Sequence, residues 1–156
     1  MRGMIIGIGN EMRGDDGIGM VVAEALKAFL PYPVILAGEV PENYLDIIRS
    51  YGPDWILLVD AVDFGGDPGD TILIRFNDEA GEPPVVLSTH RPSLRILRAY
   101  IKKEVGAELF LLGIQPKVVG FCLSISDEVR NAVDKAIKAA ISFVDGIEAL
   151  SNFEEV

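Results

Sequence analysis

The chain is poor in groups that crosslink, ligate softly or bind polyanions. One cysteine, Cys122, stands in 156 residues. That excludes an internal disulfide and a thiolate metal cluster, and it suits a reducing compartment. One histidine, His90, is the single source for any imidazole chemistry. No apolar run reaches the length of about 18 residues that a membrane span needs, and no basic start leads into an apolar segment with a cleavage signal. A cytoplasmic protein without membrane insertion is expected. Basic residues are scarce, 14 Lys and Arg against 24 Asp and Glu. The resulting net charge of -10 repels phosphate backbones and anionic lipid, so no nucleic-acid partner is expected. Linkers rich in Pro, Gly or Ser, internal repeats and low-complexity tracts are missing too. With 49% hydrophobic residues the chain is expected to form one domain over 1-156, as a monomer.

What is present is a succession of short apolar runs and amphipathic stretches. Met4 to Ile8 reads as a buried strand that breaks into Gly9-Asn10 and a loop through Gly14-Asp15-Asp16-Gly17. From Asp16 onwards Ile18, Val21, Val22, Ala25, Leu26 and Phe29 keep helical spacing until Pro31 and Pro33. Of the two adjacent acids, one can cap this helix; Asp15 is taken to support the helix start. Val34 to Ala37 is a second strand closing on Gly38, and Glu42 to Tyr51 a second helix with Tyr44, Leu45 and Ile48 on one face. Trp55 to Ala61 is apolar on both faces, as in a covered central strand, until it meets Asp60.

Phe64 to Asp70 is a turn, and Thr71 to Phe76 alternates like a half-buried strand. The connection is too short for a helical crossover, so this strand must run antiparallel. Asn77 to Thr89 reads as a long surface loop delivering His90, and long loops in compact domains are commonly functional. A helix follows from Pro92, with Leu94, Leu97, Ile101 and Val105 in line, then a buried strand from Glu108 to Ile114 ended by Gln115-Pro116. The last helix opens at Ser126-Asp127-Glu128 and presents Val129, Ala132, Val133, Ala136, Ile137, Ala140, Ile141 and Val144 inward; the tail after Gly146 should fray.

Asp16, Asp60 and His90 stand out because each falls at or just past the carboxyl end of an expected strand, or in a loop leading to a helix. Parallel strands bring those ends to one edge of the sheet, where ligands bind in open α/β folds. Two carboxylates and one imidazole make a donor set for a divalent metal with open positions, without selecting nickel over zinc or iron. Each has an ordinary reading as well. Asp16 alone could be a helix cap, and His90 alone a surface or packing histidine. Asp60 resists the ordinary reading, because an acid ending an apolar strand must be paired or metal-bound. Other patterns fail: a dinucleotide fingerprint from Gly7 needs glycine at Met12, and no Gly-Lys-Ser/Thr follows for a phosphate loop. Cys122 reads as a core residue, and Ser88, Ser93, Ser124 and Ser126 as capping or surface residues.

The blocks Gly7-Ile8-Gly9-Asn10, Gly14-Asp15-Asp16-Gly17-Ile18-Gly19, Val59-Asp60-Ala61, Thr89-His90, Leu112-Gly113-Ile114-Gln115-Pro116 and Val119-Gly120-Phe121 are collinear with those of a known family. In them the chain resembles the hydrogenase maturation endopeptidases, which trim the C-terminus of the nickel-iron hydrogenase large subunit. Pro41-Glu42-Asn43 and Gly113-Ile114-Gln115-Pro116 are most similar to the branch serving the formate-linked, membrane-associated hydrogenase.

The resemblance implies a three-layer α/β/α fold with a five-stranded, mixed, mostly parallel sheet. It implies an endopeptidase whose partner is the hydrogenase large-subunit precursor and whose recognition element is nickel borne by that substrate, other divalent metals being able to substitute. The metal-reading and catalytic residues would be Asp16, Asp60 and His90, with Gly9, Asn10, Asp15, Gly38 and Glu39 contacting substrate. Two departures stand against the family pattern. Some members carry Glu at the position of Asp16, and many carry Asp where this chain reads Ala37-Gly38-Glu39, so any role of that acid is lost or moved to Glu39. Two rival classes stay open: a metal-binding maturation chaperone without proteolysis, and a peptidyl-tRNA hydrolase-like esterase, which the charge of -10 opposes.

Overall fold

In the computed structural model, residues 1–76, 87–88, 91–121 and 124–154 are described. Six strands and five helices alternate along them. β1 (Gly3–Ile8) leads through a 3-10 turn at Asp15–Gly17 into α1 (Ile18–Leu26), then β2 (Val34–Gly38). A 3-10 turn at Pro41–Tyr44 continues as α2 (Leu45–Tyr51), followed by β3 (Trp55–Asp63), β4 (Thr71–Phe76), β5 (Leu87–Ser88) and α3 (Arg91–Tyr100). A π-helical turn at Ile101–Val105 extends α3, and β6 (Glu108–Ile114), α4 (Asp127–Asn131) and α5 (Val133–Glu154) complete the chain.

The sheet order is β2-β1-β3-β6-β4, with β5 on β3 off this path. β1, β2, β3 and β6 are mutually parallel, and β4 runs antiparallel to β6, as the short connection from β3 requires. Alternation along β1 and β3 divides the core between the two faces. Ile5, Leu57, Val59 and Ala61 meet α1 and α5, whereas Met4, Ile6, Ile8, Ile56 and Leu58 meet α2 and α3. Side chains on both faces explain why Trp55 to Val62 is buried throughout. This is the expected three-layer α/β/α architecture, with five strands in the main sheet. Glycine lets α1 lie directly on it: a Cβ at Gly19 would sit 2.3 Å from the Val59 carbonyl oxygen and 2.4 Å from that of Ile8.

Four expectations fail. The first helix ends at Leu26, in a turn closed by Phe29 N–H to Leu26 carbonyl at 3.0 Å, and Phe29 is exposed. Part of the expected 77–89 loop is strand: Leu87–Ser88 pair antiparallel with Val62–Asp63, because β3 projects two residues past Ala61 and offers free backbone. The last helix is broken at Ala132 into α4 and α5. It also does not fray at Gly146 but continues to Glu154. Glycine in a helix costs about 1 kcal/mol, but Ile147 packs on the core beyond it and Glu148 accepts a hydrogen bond from the Tyr32 hydroxyl. The rest of the 77–89 loop, and Cys122, lie outside the described residues.

Candidate active site at the carboxyl edge of the sheet

The loop after β1 folds back on itself. Gly9 has φ 141°, and a Cβ there would lie 2.0 Å from the Asp16 carbonyl oxygen, so no other residue fits without moving the 3-10 turn. Gly9 N–H donates to the Gly38 carbonyl at 2.9 Å, tying β1 to the end of β2. Asn10 organises the turn: its side-chain oxygen accepts from Met12 N–H at 2.9 Å, and its own N–H donates to Asp16 Oδ2 at 3.1 Å. Asp16, 1% exposed, thus bonds backward into the loop, and neither Gly14 nor Gly17 at the helix starts carries a side-chain cap. The turn packs on β3, the strand that holds Asp60.

Asp60 is fully buried. It sits opposite Gly113 in the β3–β6 register, on the face of β3 shared by Ile56 and Leu58. One carboxylate oxygen accepts from Ala61 N–H at 2.8 Å. His90 lies outside the described residues. Among the described residues no group of three His, Cys, Asp or Glu gathers as a metal site, and Asp16 and Asp60 are the described members of the expected triad. A half-buried acid, Glu42, stands at the same edge just beyond β2.

Asp15 corrects the sequence reading. It does not support the helix start; its carboxylate reaches across to the segment between β6 and α4. Lys117 N–H (2.8 Å) and Val118 N–H (2.9 Å) donate to Oδ2, the Ser126 hydroxyl donates to the same oxygen at 2.8 Å, and Ser126 N–H donates to Oδ1 at 2.7 Å. Burial by itself would push this carboxyl up. The N–H groups of Val118, Ser126 and Lys117, with the Ser126 hydroxyl, outweigh it and hold the group below its usual range. Asp15 N–H also donates to the Val118 carbonyl at 2.8 Å, and Gly14 pairs with Val119 in an isolated antiparallel bridge. Asp15, fully buried with these partners, is therefore a brace within the protein. Ser126, read as a cap or surface residue, is part of that brace.

Gln115 entered the sequence reading as a strand terminator and as part of the Leu112 to Pro116 block, with no role of its own. It is 7% exposed, and its carbonyl oxygen accepts from Phe64 N–H (2.9 Å) and Gly66 N–H (3.1 Å) while its amide donates to Asp63 Oδ1 at 3.1 Å. It fixes the turn between β3 and β4. Of the remaining expected residues, Gly38 adopts φ 64° at the end of β2, and Glu39 is exposed and lies 3.9 Å from Arg13. The sequence signals for Asp15 and Gln115, a helix-start acid and a strand terminator, do not name a distant partner.

The chain is a three-layer α/β/α protein with three buried carboxylates, Asp15, Asp16 and Asp60, at the carboxyl edge of its sheet, the edge where open α/β folds bind ligands. Comparisons with known proteins narrow the class. A sequence profile of the hydrogenase maturation proteases of HycI type matches residues 20–143. The hydrogenase 3 maturation protease of Escherichia coli K12 is 36% identical over 136 residues, covering 86% of this chain and 85% of that protein. The crystal structure of the [NiFe] hydrogenase maturation protease HycI from Thermococcus kodakarensis KOD1 superposes with a TM-score of 0.73 at 32% identity, covering 92% of each chain. HybD from Thermococcus kodakarensis gives 0.72 at 27%, covering 92% of this chain and 99% of that one. The chain belongs to the hydrogenase maturation protease family. Asp60 and His90 lie inside the profile match, and Asp16 precedes it. Nothing in these comparisons favours a chaperone without proteolysis or a tRNA esterase.

Proposed function

We propose that this protease removes the C-terminal extension of a nickel-iron hydrogenase large-subunit precursor after nickel has been inserted. Asp16, Asp60 and His90 read the substrate-borne nickel. The observation that supports this is the complete burial of two acids, Asp16 and Asp60, on adjoining elements at the ligand-binding edge of the sheet. Buried carboxylates are costly unless donors or a cation compensate. Asp16 accepts from Asn10 N–H and Asp60 from Ala61 N–H, and a divalent ion brought by the substrate adds a positive charge that both acids favour. Carboxylate oxygens and an imidazole suit a borderline divalent metal whose other positions are filled by the substrate's own ligands.

Recognition is the role we assign to this set. Bound nickel places the adjacent peptide bond at the carboxyl edge, and a cation there can also polarise the scissile carbonyl or activate water. Asn10 holds Asp16 from its N–H, and Asp15 braces the loop that carries Asp16. Gly9, Asn10, Gly38 and Glu39 border the path of the substrate backbone. We further place the protein in the cytoplasm, as a monomer that binds neither nucleic acid nor membrane. The single cysteine and the net charge of -10 support this, and among the described residues no helix is long and apolar enough to cross a membrane.

The test is the mobility shift of purified precursor, loaded with nickel or nickel-free, on incubation with the protease. Cleavage of the loaded form alone is expected. Equal cleavage of nickel-free precursor would reject nickel recognition, and binding without cleavage would favour the chaperone.

A further inference from the structure

The brace between Asp15 and the segment after β6 joins two loops into one rim beside the acids, and four exposed apolar side chains stand on it among the charged Glu11, Arg13 and Lys117. Met12 is 61% exposed and Phe121 74%, with Val118 and Val119 each at 39%. The two loops are held together by the Gly14–Val119 bridge and by Gly120 N–H donating to the Arg13 carbonyl at 3.3 Å. Its two cations have acidic neighbours: Arg13 lies 3.9 Å from Glu39, and Lys117 Nζ 2.6 Å from Glu128. Uncovered apolar side chains gathered at one place mark an interaction surface more often than chance exposure.

We propose that Met12, Val118, Val119 and Phe121 form the docking surface for an apolar patch of the large-subunit precursor next to its cleavage site. This rests on the endopeptidase reading above. The occupant follows from position. Met12 lies on the stretch from Asn10 to Asp16, so any macromolecule presenting a metal to Asp16 covers this rim as it arrives. A second copy seated here would cover the approach to Asp16 and exclude the substrate. With Arg13 and Lys117 paired to acids of this chain, contact is carried by burial of Phe121 and Met12, the side-chain types that dominate interface energetics or adapt to them.

The experiment is steady-state cleavage of nickel-loaded precursor by Phe121→Ser and Met12→Ser, each alone, beside Phe29→Ser as a control at the far end of α1. Direct binding of the same precursor and sedimentation equilibrium of the protease accompany it. Removing ground-state docking raises KM and leaves the chemical step untouched. A KM raised about tenfold or more in Phe121→Ser, with kcat within about twofold and Phe29→Ser unchanged, is the expected result. Unchanged KM and binding in both rim variants would overturn the proposal. So would a wild-type dimer that Phe121→Ser dissociates without altering KM, which would make the rim a self-interface. If wild-type protein binds precursor through Phe121 but never cleaves it, the docking surface stands and the endopeptidase reading falls; if it neither binds nor cleaves, both fall.

Discussion

At the amino end of the sheet Trp55 packs edge-on against Tyr32 and Phe143, with ring centroids 4.9 and 6.0 Å apart, and Phe110 meets Phe143 at 4.7 Å. At the carboxyl end the corresponding work falls to two buried polar side chains, Asp15 and Gln115. Aromatic packing is strong but tolerant in direction, so it holds layers together without setting a loop to a fraction of an ångström. Hydrogen bonds to a buried carboxylate or amide are directional, and an unmade one is expensive. The difference assigns tolerant packing of layers to one end and directional placement of loops to the other. The braces stand where the buried acids Asp16 and Asp60 are.

The largest effects should come from the acids themselves. Asp60→Asn, Asp16→Asn and His90→Ala are each expected to abolish cleavage of nickel-loaded precursor while far-ultraviolet circular dichroism stays native. Full cleavage by any one would remove that residue from the site. Asp16→Glu keeps the carboxylate and should retain partial activity, limited by the tight contact of the Asp16 backbone with Gly9.

Next comes the brace. Asp15→Asn leaves one carbonyl oxygen for donors that approach both carboxylate oxygens, and sets its amide against an N–H. A loss of about 2–4 kcal/mol in denaturant unfolding is expected, together with reduced cleavage. The acid limb of stability supplies the sign. Asp15 titrates lower in the folded chain than its ordinary 3.8, so the unfolded chain binds more protons in between. Its contribution is present above pH 3.8 and is lost as pH falls through the folded value; Asp15→Asn should flatten that slope. An unchanged acid limb would contradict the brace.

At the opposite end Phe143→Leu should cost about 1 kcal/mol and leave kcat and KM unaltered. A loss of activity larger than the loss of folded protein would break the division between the two ends. A further effect is expected at high pH, confined to alkaline solution and without consequence for cleavage near neutral pH. Burial first, and then the hydrogen bond to Glu148, raise the Tyr32 phenol from 10.0 to about 12. The folded chain therefore keeps this proton where the unfolded chain releases it, and stability falls between pH 10 and about 12. Tyr32→Phe should reduce that fall, read from melting temperature against pH.

The layers were legible because apolar runs are a local property: Trp55 to Ala61 declares a covered strand, and the short connection to Thr71 declares its neighbour antiparallel. Asp60 was legible for the same reason, as an acid interrupting such a run. Asp15 was misread because nothing nearby distinguishes a helix-start acid from a brace whose partners are distant in sequence. Gln115 was missed because a strand terminator and a turn-fixing amide look alike. Gly146 signals a helix end by propensity, and the contacts of Ile147 and Glu148 that override it belong to the tertiary structure. β5 was hidden because two residues carry no periodicity.

Asp15 has one consequence in time. Its partners Lys117, Val118 and Ser126 follow it by 102, 103 and 111 residues. Contacts of that separation form late, after the intervening chain has been made and has collapsed. During synthesis β1 and its loop emerge well before their partners, so that loop stays unbraced until the segment after β6 has left the ribosome. The edge that carries Asp16 and Asp60 is thus finished only after every strand of the sheet has been made.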